Sequence, residues 1–273
     1  MKCRISTGAV LIAALLAPCL APCLALADAS TADDRIALSA DGGTLTGTNG
    51  GGGASAAWLH NFTVDELAGI AIEDQVLADA HWTFGSVNGS ANFGPDGRRY
   101  SVYGEVHEGA GDDGPHPFHY AIEAVGLIGT FSHRLSVQLE DRQIDVESTH
   151  GNLPKAGLSY QWNPHLLTSA SYSYSVSGNL GTRLTALRVD EYNNLVNLLA
   201  GVSFGQASPA ILGIGFVLPP RTLNEGYVGM SLPLAKSRGN LTLVADYQDL
   251  SGSKRFTLTL SYVFHVGHTG AAP

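Results

Sequence analysis

The sequence predicts an all-β fold, an antiparallel transmembrane β-barrel of about 12 strands within a range of roughly 10–14. Three observations predict it. Charged residues make up 14% of the 273-residue chain, where a soluble domain carries about 25%. After the first 27 residues no apolar run is long enough for a spanning helix of about 20 residues, so a membrane-embedded chain would have to satisfy its backbone as a barrel. Most of the chain also alternates apolar with small or polar residues at period two, which puts one kind of side chain on each face of a strand.

The N-terminus reads as an export signal. Lys2 and Arg4 form a basic head, an apolar run extends from Gly8 to Ala27, and Ala25-Leu26-Ala27 offers small residues for cleavage before Asp28. Pro18 and Pro22 interrupt the run, which argues against a retained helix because an interior proline removes a hydrogen bond and clashes with the preceding turn. Cys3, Cys19 and Cys23 all fall inside this segment, so the remaining chain has neither disulfides nor thiolate metal ligands. Leu20-Ala21-Pro22-Cys23 approaches a lipoprotein box, with a proline in the wrong place before the cysteine. Removing Lys2 and Arg4 takes the formal charge from −9 to −11. No basic cluster remains, which leaves nucleic-acid binding without electrostatic support.

Residues 28–53, with Gly42-Gly43 and Gly50 to Gly53, read as a flexible lead-in holding at most a short strand around Ile36–Leu38. The barrel is expected over 54–264, followed by a short tail at 265–273. Candidate strands lie near 54–63, 68–74, 78–90, 99–109, 117–131, 134–147, 154–162, 165–177, 182–190, 196–206, 210–218, 226–234, 240–249 and 254–264. The alternation is cleanest in the last: Phe256, Leu258, Leu260, Tyr262 and Phe264 on one face, Arg255, Thr257, Thr259 and Ser261 on the other. In 165–177, Leu166, Thr168, Ala170, Tyr172, Tyr174 and Val176 oppose four serines. Aromatics sit near segment ends, as in the girdles of membrane barrels. A soluble β-sandwich also alternates, but its outward faces would be charged, whereas the polar face here is mostly Ser, Thr and Gly.

Arg255-Phe-Thr-Leu-Thr-Leu-Ser-Tyr-Val-Phe264 resembles the C-terminal targeting strand of bacterial outer-membrane proteins, although nine residues follow Phe264. The resemblance implies recognition by the barrel-assembly machinery, an outer-membrane location in contact with its lipid, and a periplasmic position for Phe264. Alternating back from Phe264 then places the short turn Asn163-Pro164-His165 outside, where long loops are usual. One candidate strand between 165 and 234 is therefore expected to be false or merged with a neighbour. The rhythm of Leu153-Pro154-Lys155 to Tyr160, Asn163-Pro164-His165 and the Tyr172/Tyr174 strand is similar to the YaiO-like outer-membrane barrels.

Two polar groups carry candidate chemistry. In Glu140 to Glu147, leading to His150, Asp145 or Glu147 could orient His150 as a base. Charges on both faces also mark this stretch as leaving the membrane, where it would be a solvated extension. Glu105, His107 and Glu108, followed by Asp112, Asp113, His116 and His119, offer oxygen and imidazole donors. Their spacing matches no metal motif, and neither a metal nor a cofactor is expected. Arg183, Arg188, Asp190, Lys155, Glu123 and Asp246 are expected to line the lumen. No nucleophile elbow and no His-Glu-x-x-His pattern is present. Three function classes follow: a non-enzymatic channel or accessory protein in envelope or exopolysaccharide traffic, an outer-membrane enzyme acting on lipid A or phospholipid, and an adhesive surface protein contacting partners through residues 110–116 and 219–226.

Overall fold

The computed structural model describes residues 34–266, apart from connections at 48–49, 64, 78–79, 95–99, 114–115, 133, 147–148, 194, 209–219 and 235–238. The expected signal at 1–27 and most of the tail lie outside the described residues, as does the candidate strand 210–218. The strands are β1 (Asp34–Leu45), β2 (Gly51–Asn61), β3 (Glu66–Leu77), β4 (Ala80–Phe93), β5 (Tyr100–Asp113), β6 (His116–Thr130), β7 (Leu135–Val146) and β8 (Thr149–Asn152). They continue as β9 (Lys155–Asn163), β10 (Leu166–Tyr174), β11 (Arg183–Glu191), β12 (Asn197–Ala207), β13 (Arg221–Leu234), β14 (Gly239–Leu250) and β15 (Ser253–Val266).

All neighbours pair antiparallel, and β1 joins β15 from Asp34↔Val266 to Leu45↔Arg255, which closes a barrel of 14 strands with β8 outside the ring. The count sits at the upper end of the expected range. β12 pairs directly with β13, from Ala207↔Arg221 to Asn197↔Ser231, so no strand enters the sheet between them. That removes the surplus candidate and puts the Asn163 to Leu166 turn at the same end as Asp34 and Val266. The missing strand is β1, which lies inside the stretch expected to be a flexible lead-in, as does the start of β2.

The short β8 pairs with the end of β7, from Val146↔Thr149 to Gln143↔Asn152. Leu153 donates its backbone N–H to Arg142 O at 2.8 Å before β9 resumes pairing at Glu140↔Lys155. Pro154 sits at this break, where its missing N–H costs no ladder hydrogen bond.

The outer face is apolar. Leu38, Ile70, Val87, Val102, Leu158, Leu187, Val202, Val228, Met230, Leu258 and Leu260 are all exposed, which suits lipid rather than water. Around the end that holds Asp34 and Val266 lie Trp58, Phe93 stacked on Tyr100, Trp162 against Tyr160, and Tyr262 stacked on Phe264. Tyr172, Tyr174, Phe204, Tyr247 and Phe256 mark the outward face nearer the opposite end. On β4 to β7 the large outward apolar residues stop at Val87, Val106, Val125 and Leu139, and Thr83, Glu108, Glu123 and Asp141 follow. The upper ends of these strands lie beyond the apolar band, in line with the charges on both faces of 140–147.

Candidate functional site

The lumen is the candidate site, and its wall is polar where the outside is apolar. The strand period turns Glu140 and Arg142 inward and buries them, while Asp141, Gln143 and Asp145 face out. Arg142 Nη2 reaches Glu105 Oε1 on β5 at 3.0 Å and Glu140 Oε1 at 3.2 Å. Lys155 Nζ lies 3.6 Å from Glu140 Oε2. Tyr103 donates its hydroxyl to Glu140 Oε2 at 2.5 Å, and Gln138 Nε2 donates to Tyr103 Oη at 2.6 Å. His107 Nε2 is 3.5 Å from Glu105 Oε2. Two carboxylates thus face a guanidinium and an ammonium, so this arc of the wall is balanced. A lone buried charge there would cost several kcal/mol.

Two more groups line the wall. On β11, Arg188 Nε donates to both oxygens of Asp190, at 2.9 and 2.8 Å, and both residues are buried. A second arc, on β1, β3 and β13 to β15, gathers Asp41, Glu73, Glu225, Asp246, Gln248 and Arg255, all turned inward and buried. Gln248 Nε2 donates to Glu225 Oε1 at 3.2 Å, and Gln75 donates to Glu73.

The end away from Asp34 and Val266 is apolar inside. Trp82, Phe84, Phe118, Leu184, Leu223 and Leu250 form one buried cluster against which Leu45 packs. Tyr120, Ile122, Ile144, Val146, Leu153 and Leu180 form another. Leu180 comes from the connection between β10 and β11, so that segment folds inward at this end. Apolar constrictions of this kind oppose the passage of water and ions.

The sequence candidates separate across the wall. Glu105 and His107 face the lumen. Asp145 and His150 are register partners on β7 and β8 and are exposed on the outer side, so the four do not form one site. Among the described residues no cluster of His, Cys, Asp and Glu is arranged to hold a metal ion. Of the residues expected to line the lumen, Arg188, Asp190, Lys155 and Asp246 do. Arg183 does not: its guanidinium lies 5.3 Å from the ring centre of Tyr174, which is on the outer face. Glu123 is exposed between buried Ile122 and Ala124 and also faces out.

The sequence reading missed Tyr103, Asp41, Glu73, Glu225 and the apolar cluster. A parity signal was available for the last: Trp82 and Phe84 share their parity with Ser86, Asn88 and Ser90, the polar face of β4.

Solved structures share this architecture. The CymD monoaromatic hydrocarbon channel superposes with a TM-score of 0.59 at 9% identity, over 87% of this chain and 88% of that one. The chain has the fold of an outer-membrane β-barrel channel. The Pseudomonas putida toluene transporter TodX is similar at a TM-score of 0.56 and 9% identity, over 89% and 90% of the two chains. A bacterial polysaccharide outer membrane secretin is similar at 0.51 and 10%, over 88% and 100%. At such identities the likeness is one of fold. No family model matches the chain, and no curated protein matches it by sequence.

Proposed function

We propose that the chain is a non-enzymatic channel of the bacterial outer membrane that passes small solutes through its lumen. The observation that carries this reading is the contrast between the two faces of one closed wall, with an exposed apolar exterior and a charged, hydrogen-bonded interior. In this reading Arg255–Phe264 is the strand offered to the barrel-assembly machinery. Phe264 lies at the periplasmic rim, and the apolar cluster around Trp82 and Phe118 lies at the exterior mouth. The YaiO-like rhythm of residues 153–174 and a role in envelope or exopolysaccharide traffic belong to the same proposal.

The enzymatic alternative draws less support. The wall separates Glu105 and His107 from Asp145 and His150, and Glu105 is already engaged by Arg142. The test is swelling of proteoliposomes in isotonic solutions of graded neutral and charged solutes. Solute-dependent swelling is expected. Vesicles that hold the folded protein and swell no faster than empty ones would overturn the reading.

A further inference from the structure

The connection between β10 and β11 is built in two parts. Its neck is fixed. Ser175 donates its backbone N–H to Thr182 O at 2.9 Å, and Thr182 donates its own N–H to Ser175 Oγ at 3.1 Å. Thr182 is fully buried, and its Oγ1 accepts the N–H of Ser208, just past β12, at 3.1 Å. The tip, residues 176–181, is held differently. Val176, Ser177, Gly178, Asn179 and Gly181 are exposed. Leu180 alone turns inward, into the buried cluster with Tyr120 and Ile122 of β6 and Ile144 and Val146 of β7. In the ring β9 and β7 stand between β10 and β6, so the tip reaches over two strands into the mouth.

Two sets of contacts keep the tip down. One is the burial of Leu180. The other is a row of hydrogen bonds to β8. The Val176 N–H donates to Asn152 O at 3.1 Å and the Asn179 N–H to His150 O at 2.9 Å. The Asn152 N–H donates to Ser177 Oγ at 3.1 Å, Ser177 Oγ to Asn152 Oδ1 at 3.0 Å, and the His150 N–H to Asn179 Oδ1 at 2.8 Å. The three that use side chains are exposed, so water replaces them at small net cost. The tip lies so close on β8 that a Cβ on Gly178 would strike His150 O, and one on Gly151 would strike Ser177 O. Gly178 and Gly181, on either side of Leu180, have φ of +69° and +56°, where glycine turns the chain without strain. A segment fastened by one apolar side chain and by exposed hydrogen bonds belongs to the part of a protein that opens first.

We infer that residues 176–181 form a hinged lid over one side of the exterior mouth, with Leu180 as its plug and β8 as its seat. This rests on the channel reading for the passage of solute, but not for the movement of the lid. The structure shows the lid shut. Withdrawing Leu180 takes an apolar side chain out of the constriction and opens that side of the mouth to water.

Two variants lift the lid by different means. Leu180→Ser removes the plug, and Gly178→Ala puts a methyl group against His150 O. Glu123→Gln, on the outer face, is the control. Single-channel recordings in planar bilayers should show the ratio of open to closed time rising about tenfold or more in each lid variant, the order expected when a leucine no longer has to leave its apolar site. The ratio should be unchanged in Glu123→Gln. A conducting wild type whose ratio neither lid variant changes would overturn the inference. Hydrogen exchange of the folded protein in detergent, read at the amides of Val176 and Asn179, answers separately. The two should exchange at one common rate, ahead of the ladder amides of β10 and β11, and both should speed up in Leu180→Ser. Amides of Val176 and Asn179 as slow as the ladder would reject the lid even in a conducting channel. Exchange as expected in a protein that never conducts supports the lid, and the channel reading then falls alone.

Discussion

Glu105 on β5 and Arg142 on β7 form a 3.0 Å ion pair across Ala124 of β6, the residue that is register partner to both of them. The pair skips a strand because the methyl group between them is small. Ala124→Leu should wedge the two apart and destabilise the barrel by about 1–3 kcal/mol, the usual cost of overpacking. Arg142→Met should cost more, about 3–5 kcal/mol, because Glu105 and Glu140 both lose a buried partner. Urea unfolding in lipid vesicles, followed by the fluorescence of the three tryptophans, would rank the two.

One rung away, the Tyr103 ring lies over Gly126 to reach Glu140. A Cβ on Gly126 would collide with ring carbons and the hydroxyl of Tyr103. Gly126→Val should therefore expel the ring and break the Tyr103–Glu140 and Gln138–Tyr103 hydrogen bonds together. Tyr103→Phe removes the same bonds without the clash, at a cost of about 1–3 kcal/mol for the acceptor left behind. The same unfolding assay should show Gly126→Val as the more damaging change. The opposite order would mean that the ring has other room.

The outer face gives a third expectation. Val228 is 61% exposed and Leu258 45% exposed, within the apolar band. Arginine at either position should destabilise the folded barrel by about 2–4 kcal/mol. Gln143→Arg, on the outward face of β7 beyond Leu139, should cost almost nothing. Folded fractions in vesicles would show whether the apolar band ends where the charges begin.

The fold was legible wherever one face of a strand was large and apolar and the other small and polar, as in β15 and β10. β1 and the start of β2 escaped because glycine, alanine and serine occupy both of their faces, so the alternation vanishes and the composition imitates a linker. In the barrel that smallness is a packing requirement: a Cβ on Gly43 would strike the backbone carbonyl of Phe256 on β15. The lumen was half legible. Strand parity alone turns Glu140 and Arg142 away from Asp141 and Asp145. Arg183 shares its parity with Leu187 and Val189, and Glu123 with Val125 and Leu127, so the alternation itself puts both on the outer face, against the expectation. The pairing of Glu105 with Arg142 needs the order of β5, β6 and β7 in space, which local pattern does not contain.

The apolar cluster at the mouth makes a fourth expectation. Trp82→Ala combined with Phe118→Ala removes two facing rings whose centres are 6.2 Å apart. If this cluster limits passage, polar solutes should enter proteoliposomes faster through the double variant than through the wild type, while insertion is unchanged. Equal swelling rates would place the constriction elsewhere in the lumen.

The central claim is that this wall encloses a path across a membrane. Its most direct test is single-channel recording after insertion of the full chain into a planar bilayer. The account predicts discrete, reproducible conductance steps that persist with purified, folded protein. A folded, membrane-inserted barrel that gives no steps at any voltage the bilayer tolerates would contradict it.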